Sequence, residues 1–499
     1  MDEKRGKSGC PKSSRPKCSL TRREFLSTSS KLVAGTVLAA AAGMTPGKVW
    51  GSTLALPSWR SPTAKSDIFV VQDIPAPRYS LAGGTLPPGP SDQILRDAGI
   101  DALVSLMNRQ GTPFFRTGSS PQGLVARDSV VVIKVNQQWV GQGTDSGAGR
   151  LGTSTDLIKG LVWRILNHPE GFVGEVVVAE NVQWRGNPDF ATITPANAQD
   201  QNQTLANVIT VFQGLGRPVS LQNWTALNAN LLPGGNLGPG PATCEYSHGN
   251  LDDGYVLLND NTPGVKPQNG YSYPKFRTAG GLYISMRHGL WDGSYHPDRV
   301  VLINLPVLKK HGMAATTAAW KNLIGFQTCE DPDGSRFESD DMMHTYFWGF
   351  NQPSIDYGLI GRHISLVRRP DLNLVDAVWV ANESNYYGSA VRVNVVLGSR
   401  DPFAVDWYAS EYVLRPVVPD APDESSLARA GTFRTASLVN QKAAMSTWVG
   451  TYPFVDFVEG YSGATPLDAE KSQMNVFLAS ASPSKGSMLP AIINTLLAD

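Results

Sequence analysis

Residues 129–136 read SVVVIKVN, a short β-branched run that contains one lysine and ends in asparagine. A nearly continuous apolar run of this length is typical of a strand buried on both faces of a sheet. Residues 155–168, TDLIKGLVWRILNH, then have apolar residues at helical spacing, and residues 174–181, GEVVVAEN, return to the strand pattern. A strand, a helix and a strand in this order predict a right-handed crossover between parallel strands. We therefore expect an α/β fold with a mostly parallel sheet and helices on both faces.

The same alternation of strands and helices extends outward from this unit. The strand pattern occurs in DIFVVQD at 67–73 and in DRVVLINLPVL at 298–308, and two further strands and a helix are predicted between 363 and 414. A helix is predicted over AATTAAWKNLIGF, residues 314–326, after a turn at 309–313. These elements add to one parallel sheet.

The predicted organisation is a core domain with appended segments. Residues 183–298 are rich in Asn, Gln, Gly and Pro, which predicts a long insertion of loops and short hairpins, with a lid as the alternative. The other predicted segments are a signal peptide at 1–44, a linker at 45–66, the α/β core at 67–415 and a C-terminal extension at 416–499 that packs on the core.

The N-terminal segment predicts export. Residues 1–42 carry nine Lys/Arg against three Asp/Glu, although the whole chain is balanced at 43 of each. Arg22 and Arg23 stand before a weakly apolar stretch, the pattern of a signal for the twin-arginine export machinery. A membrane anchor is the alternative, but the stretch of about 13 residues is shorter than the roughly 20 needed to span a bilayer. We expect a periplasmic or other extracytoplasmic protein without a stable membrane span after signal removal.

Charge balance and cysteine content restrict the function classes. With equal numbers of basic and acidic residues, nucleic acid is not an expected partner. Of the four cysteines, Cys10 and Cys18 lie in the predicted signal, which leaves Cys244 and Cys329 either joined as a disulfide or free. Because no Cys-x-x-Cys occurs, an iron–sulfur cluster held by cysteines is not expected.

Polar residues follow several of the predicted strands. In a parallel sheet, the carboxyl ends of the strands and the loops that follow them collect groups that bind ligands. For the lysines of this set, solvated loop charges are the alternative, and for Lys134 with Glu180 the alternative is an ion pair that only stabilises the fold. The candidate substrate-binding residues at strand ends are Lys134, Asn136, Glu180, Lys309 and Lys310, and His311 next to them can exchange a proton near neutral pH.

The predicted helix at 314–326 carries three further candidates. Lys321 lies among alanines, so its side chain either reaches the surface or is held in a cleft. A lysine in a cleft has a lowered pKa, which suits its amine to covalent or proton-transfer chemistry. Thr317 and Asn322 are candidate substrate-binding residues, and for Asn322 a purely structural role is the alternative.

Three aspartates follow the later strands. Asp376 and Asp406 are candidate ligands for a divalent cation, because carboxylate oxygens suit such ions. Asp401 stands directly before Pro402, which favours a helix N-cap with proline at the first helical position.

Several of these segments together resemble a known family. In order along the chain occur VVIKVN, EVVVAE, VLINLPVLKKHGMAATTAAWKNLIG, LNLVDAV and VVLGSRDPFAVDWYAS. In that order they resemble the bacterial and archaeal family called domain of unknown function 362, over roughly residues 67–414 apart from the insertion. The resemblance implies an α/β fold with its site around the Lys-x-His stretch and the Thr-x-x-x-Lys-Asn stretch. Many members carry a ferredoxin-like cluster module, whose cysteines are absent here.

A more distant resemblance concerns a cofactor. In the nickel-pincer lactate racemase family, a histidine after a strand is followed ten residues later by a lysine that tethers the cofactor, and His311 and Lys321 have that separation. The resemblance implies that His311 is the acid/base group and Lys321 the tether of a nickel-containing organic cofactor. The chain departs from the family where a later nickel ligand is expected, because Phe337 stands there and His344 is the nearest histidine.

Two classes of function follow. The first is an exported enzyme that acts on a small anionic substrate, with His311 and Lys321 as catalytic residues. Its most specific version is a racemase or isomerase. The alternative is a non-catalytic exported protein that binds an anion or a metal, or a redox accessory protein without its own cluster.

Overall fold

The computed structural model describes eleven parts of the chain, all between residues 56 and 482: 56, 65–137, 151–181, 197–224, 255–257, 270–311, 315–326, 364, 367–382, 390–418 and 474–482. The predicted signal peptide, Cys244 and Cys329 lie outside these parts. Within them, no helix has the length and hydrophobicity needed to cross a bilayer.

The described strands form one large sheet and two small ones. In chain order they are β1 (Ser66–Gln72), β2 (Val130–Lys134), β3 (Glu175–Glu180), β4 (Val219–Asn223), β5 (Tyr255–Leu257), β6 (Gly270–Ser272), β7 (Lys275–Arg277), β8 (Tyr283–Ser285), β9 (Gly289–Trp291), β10 (Tyr295–His296), β11 (Val300–Asn304), β12 (Val307–His311), β13 (Ala315–Thr317), β14 (Leu372–Ala381), β15 (Ala390–Ser399) and β16 (Met474–Ser480).

The large sheet has the order β16-β1-β15-β14-β11-β2-β3-β4. Along this order, every pair of neighbours is parallel except the two pairs that include β15. β12 follows β11 along the side of the long strand β14, and β13 pairs with β12. The predicted mostly parallel sheet of an α/β protein is therefore confirmed.

Alternation along the central strands divides the core into two layers, one on each face of the sheet. In β2, Val130 and Val132 pack into one layer, whereas Val131 and Ile133 pack into the other. Because both layers are apolar, these strands are apolar at successive positions, which is why the continuous run in the sequence predicted them.

Helices cover both faces of the sheet. The helices on one face are α1 (Ser91–Leu95), α2 (Ala98–Arg109), α3 (Thr155–Leu166) and α4 (Leu205–Gly214). On the other face lie the short helix α5 (Ala319–Asn322), a 3₁₀ turn at Leu323–Phe326, and α6 (Pro402–Tyr408), which continues as a π-helical segment at Ala409–Leu414 and a last turn at Arg415–Val417. A further 3₁₀ turn, Pro297–Arg299, precedes β11.

One close helix contact depends on a glycine. Asp97 is the N-cap of α2, and its side chain accepts a hydrogen bond from the backbone N–H of Ile100. A Cβ atom at Gly160 of α3 would lie 2.2 Å from the Cβ of Asp97. Glycine at 160 therefore allows α3 to approach the start of α2.

The helix predicted over 314–326 begins later than predicted, because residues 315–317 form the strand β13 of a β-hairpin and only residues 319–326 are helical. Thr317 pairs with Lys309 and Thr316 with Lys310, so β12 and β13 are antiparallel neighbours. The β-branched threonines suit an extended backbone, and helical structure begins only at Ala319. The predicted turn at 309–313 is wrong at Lys309 to His311, which belong to β12, and residues 312 and 313 lie outside the described residues.

Two predicted segments contribute strands to the large sheet. α4 and β4 fall inside the predicted insertion at 183–298, and β4 extends the parallel sheet beyond β3. The rest of the described insertion forms the two small antiparallel sheets, β5–β6 and β7–β10. From the predicted C-terminal extension, β16 pairs with all seven residues of β1.

Candidate functional site

The carboxyl ends of β2, β3 and β11 lie side by side. Lys134 is in register with Ala179 of β3 and with Asn304 of β11. Glu180, the next residue of β3, therefore ends its strand beside Lys134. The structure thus brings together three polar residues that are separated in sequence, and all three are buried.

The Lys134 amine is saturated by the protein. Its Nζ atom donates to Glu180 Oε1 at 2.5 Å, to the backbone oxygen of Val135 at 2.6 Å and to Asn322 Oδ1 at 3.1 Å. An ammonium group has three N–H donors, so all three are used. Lys134 therefore forms a fixed wall of the site and has no hydrogen left for a ligand.

Glu180 is also held on several sides. Besides Lys134, its carboxylate accepts the backbone N–H of Gln137 at 2.9 Å and of Asn181 at 2.8 Å. Burial raises the pKa of Glu180 and lowers the pKa of Lys134, and the attraction between the two groups opposes both changes. The pair has zero net charge wherever its proton resides, so it adds no net charge to the site.

A chain of amide side chains connects this pair to neighbouring elements. The Nδ2 atom of Asn322 donates to Asn304 Oδ1 at 2.7 Å, and Asn304 Nδ2 donates to Asn373 Oδ1 and to the backbone oxygen of Ala319, both at 2.9 Å. The start and end of α5 are thereby tied to β11 and β14. Asn304 and Asn373 were missed by sequence reasoning, although Asn304 ends a buried strand in the same way as Lys134 does.

A glycine next to α5 allows this close packing. A Cβ atom at Gly325 would lie 2.7 Å from Lys134 Cε and 3.2 Å from Glu180 Oε1. Any larger residue would displace the buried pair, so Gly325 is part of the site's construction.

Lys309 and Lys310 have different environments. They are successive residues of β12, so their side chains point to opposite faces. Lys309 is 2% exposed, whereas Lys310 is half-buried. The Lys309 amine donates to the backbone oxygen of Leu151 at 2.8 Å, and no carboxylate among the described residues forms an ion pair with it. The two lysines, which look equivalent in sequence, are therefore distinct in chemistry.

The amine of Lys309 has a strongly shifted pKa. Burial lowers the pKa of Lys309 to about 7, and the positive charge of Lys321 lowers it as well, whereas the negative charge of Glu180 opposes the decrease. A group with this pKa is present in both protonation states near neutral pH. It can therefore both accept and donate a proton.

Lys321 lies on α5 and lines a small polar cavity. The backbone N–H groups of Ala319 and Trp320 at the start of this helix donate to the two carboxylate oxygens of Asp406, at 2.6 and 3.1 Å. The other residues that line the cavity are Lys134, Asn136, Glu180, Asn181, Asn322 and Gly325. The structure thus gathers at one cavity five of the predicted site residues and places Lys309 within electrostatic range.

The predicted lysine-linked nickel cofactor can be tested at Lys321 alone. Lys321 lines a cavity, as a tether requires, whereas the side chain of His311 and all of Phe337 and His344 lie outside the described residues. A cofactor of this type would depend on Lys321 for attachment, and the prediction stays open. His311 itself ends β12, where its backbone pairs with Ala315.

Asn136 and Thr317 have buried side-chain oxygens without a hydrogen-bond partner in the described part of the chain. Asn136 lines the cavity. Thr317 lies opposite Lys309 in the hairpin and is 1% exposed. Both predicted residues therefore lie at this edge of the sheet with hydrogen-bonding capacity that the described fold does not use.

The aspartates mainly serve backbone N–H groups. Asp376 accepts from Ser154 at 2.7 Å and from Val378 at 2.9 Å, and burial raises its pKa to about 7. Asp401 caps α6 as predicted, accepting from two backbone N–H groups. No group of three or more His, Cys, Asp or Glu side chains suited to a metal occurs among the described residues. Among the described residues, no further side chain therefore completes a metal site with Asp376 or Asp406.

Fold and site define an α/β protein with buried amines and amides at the carboxyl edge of a mostly parallel sheet. The family model for "Domain of unknown function (DUF362)" matches residues 298–411. The predicted resemblance to this family is confirmed over that segment, which contains Lys309, Lys321 and Asn322. No curated protein and no solved structure matches the chain.

Proposed function

We propose that the protein is an enzyme that acts on a small anionic substrate by proton transfer at the carboxyl edge of the sheet. In this proposal the amines of Lys309 and Lys321 attract the anion, and Lys309 exchanges the proton. The wall formed by Lys134, Glu180 and Asn322 holds these elements in position.

The environment of Lys309 carries the proposal. A buried amine without a carboxylate partner is costly, because its charge is removed from water without compensation. Structural lysines avoid this situation by reaching the surface or by pairing, as Lys134 does with Glu180. An anion bound next to Lys309 and the second lysine, Lys321, would compensate this buried positive charge.

The lowered pKa supports a role in chemistry as well as in binding. A neutral amine on Lys309 can accept a proton from a C–H or O–H group of the substrate and then return it to the product, which leaves the enzyme unchanged. An anion bound beside Lys309 and Lys321 would favour the charged form of Lys309 and raise its pKa above 7. Substrate binding is therefore expected to be accompanied by proton uptake.

The proposal includes action outside the cytoplasm. The net charge of +6 in residues 1–42 and the pair Arg22–Arg23 support export by the twin-arginine machinery, which transports folded proteins. A small anion of the periplasm or of another extracytoplasmic compartment is then the substrate class.

The test compares the native protein with Lys309→Met and with the matched control Lys310→Met. Each protein is incubated in D₂O with a panel of small carboxylates and phosphate esters, and NMR follows conversion and the exchange of carbon-bound hydrogen for deuterium. We expect conversion or exchange of at least one compound with the native protein and with Lys310→Met, and a loss of at least about 100-fold with Lys309→Met.

Two results would contradict the proposal. Equal rates in Lys309→Met and the native protein would remove Lys309 from the mechanism. Binding of anions, measured by thermal shift, without conversion or exchange of any compound would indicate a non-catalytic binding protein instead.

A further inference from the structure

Asn136 lines the cavity, and its buried Oδ1 atom has no hydrogen bond within the described part of the chain. The residue is 8% exposed, and its Oδ1 atom is buried. Buried amides are almost always hydrogen-bonded, because leaving one unpaired costs free energy. The neighbouring amide of Asn322, by contrast, has both its oxygen and its nitrogen paired. We therefore expect the ligand to supply the hydrogen-bond donor that Asn136 Oδ1 lacks.

The backbone fixes Asn136 in this position. Its N–H donates to Thr153 Oγ1 at 2.9 Å, and its carbonyl oxygen accepts from the backbone N–H of Thr153 at 2.8 Å. Thr153 Oγ1 in turn donates to the backbone oxygen of Leu305 at 2.8 Å, directly after β11. Because these bonds join the loops that follow β2 and β11, the backbone from which the Asn136 amide extends is held in place before a ligand arrives.

A carboxamide presents an acceptor and a donor side by side. Its best partner presents a donor and an acceptor in the same arrangement, as another carboxamide does, and the two then form a pair of hydrogen bonds. The amines of Lys309 and Lys321 lie near the same cavity and suit a negative charge.

We propose that Asn136 determines the specificity of this site, and that its ligand is a small anion that also carries a carboxamide or an equivalent group with adjacent donor and acceptor. This inference rests on the proposed function and narrows its substrate class. In this arrangement Asn136 binds the neutral end of the ligand, and Lys309 and Lys321 bind its charged end.

The first experiment measures stability without any ligand. Asn136→Leu keeps the side-chain size and removes the unpaired amide, so its melting temperature is expected to equal or exceed that of the native protein. Asn322→Leu is the matched control, and it is expected to melt at a clearly lower temperature because that amide is fully paired. Asn136→Ala is the second variant, in case leucine does not fit. A lower melting temperature in both Asn136 variants would show a structural role and overturn the proposal.

The second experiment uses pairs of carboxylates that differ only in a carboxamide against a methyl ketone: oxamate with pyruvate, and succinamate with levulinate. Calorimetry of the native protein is expected to give an affinity about tenfold higher for the carboxamide in at least one pair. The Asn136 variants are expected to bind both members of that pair equally.

The results of these two experiments distinguish a failure of the role proposed for Asn136 from a failure of the proposed function. Equal affinities within both pairs in the native protein, or a preference retained by the Asn136 variants, would overturn the role of Asn136 and leave the anion site intact. Binding of inorganic phosphate but of none of the four carboxylates would also overturn it. Failure of phosphate and of all four carboxylates to bind would contradict the proposed function itself.

Discussion

Lys309 and Lys310 show how strongly one residue's chemistry depends on the face to which it points. Strand alternation buries the first and leaves the second half-exposed. Among the described residues, the buried amine donates to the backbone oxygen of Leu151, and burial lowers its pKa to about 7. The sequence pattern Lys-Lys-His is consistent with a solvated turn, and nothing within it identifies which lysine is buried.

The low pKa of Lys309 predicts a pH-dependent effect of its replacement. Between pH 7 and the ordinary lysine pKa of 10.5, the unfolded chain binds more protons than the folded one, so the free energy of unfolding rises with pH in this window. Below pH 7 the cost of burying the charge is fully present. At about 1.4 kcal/mol per pH unit, the cost is on the order of a few kcal/mol.

Lys309→Met removes that charge, so we expect it to stabilise the protein most below pH 7 and progressively less towards pH 10. Urea unfolding at pH 6 and pH 9 measures the difference between variant and native protein. Lys310→Met is the control, with a change within about 0.5 kcal/mol at both values. The same difference for Lys309→Met at both pH values would contradict the assigned pKa.

At the scale of elements, the first N–H groups of two short helices donate to aspartates in different ways: Asp401 is the N-cap of α6, whereas Asp406 reaches the start of α5 from α6. Asp401 uses one oxygen, Oδ1, for both the Phe403 and Ala404 N–H groups at the start of α6. Asp406 uses both oxygens for the two N–H groups at the start of α5. α5 has four residues, too few to be stable alone, so its position depends on such contacts.

This difference predicts that replacing each aspartate with asparagine changes the free energy of unfolding by a different amount. Asn has one accepting oxygen, so Asp401→Asn keeps its cap, and its amide nitrogen can donate to Ser66 Oγ, which now donates to Asp401. We expect a change within about 0.5 kcal/mol. Asp406→Asn leaves one N–H group without an acceptor and is expected to cost about 1–2 kcal/mol.

The binding of anions provides a second measurement of the same pair of variants. Because α5 carries Lys321, Asp406→Asn is also expected to weaken the thermal shift produced by phosphate, whereas Asp401→Asn keeps it. Equal stability and equal thermal shifts in the two variants would contradict the role of Asp406 in positioning α5.

On the scale of the whole molecule, the sheet is assembled from distant parts of the chain. β16 pairs in parallel with β1, although about 400 residues separate them, and Asn475 Nδ2 donates to Asp67 Oδ1 at 2.8 Å. β15 lies between β1 and β14 and is antiparallel to both. The strands β14, β11, β2, β3 and β4 are parallel, so the polar ends of β2, β3 and β11 meet at one edge.

Export is the prediction that concerns the whole chain. In the proposed export route, the twin-arginine machinery recognises Arg22 and Arg23 together, so replacing both with lysine is expected to keep the protein in the cytoplasm. Fractionation of the native host followed by immunoblotting measures the location. A matched variant with Lys4 and Arg5 exchanged for each other keeps the charge and is expected to be exported. Export of the double-lysine chain at the native level would contradict the proposed route.

Local sequence patterns were sufficient for the strands β1 to β3 and for the longer helices, but not for β4 and β16, which lie in segments predicted as an insertion and an extension. The β-branched runs at β2 and β3 are apolar at successive positions because both faces of the sheet are covered, and α2 to α4 have apolar residues at helical spacing. The pattern failed at 315–317, where neighbouring alanines favoured a helix but a strand forms. Pairing of Thr316 and Thr317 with β12 outweighed that preference, since a strand gains its hydrogen bonds from a partner that local sequence does not specify.

The sequence by itself determined the class of fold, the strand ends at which polar residues gather, and the cap of α6 at Asp401, because each of these depends on residues within a few positions of one another. Only the tertiary structure decided that Lys134 is saturated while Lys309 is not paired with a carboxylate in the described part of the chain. The partners responsible are distant: Asn322 lies 188 residues from Lys134, and Leu151 lies 158 residues from Lys309. A lysine's pKa and availability depend on burial and on such partners, and these exist only once the sheet has brought its strand ends together.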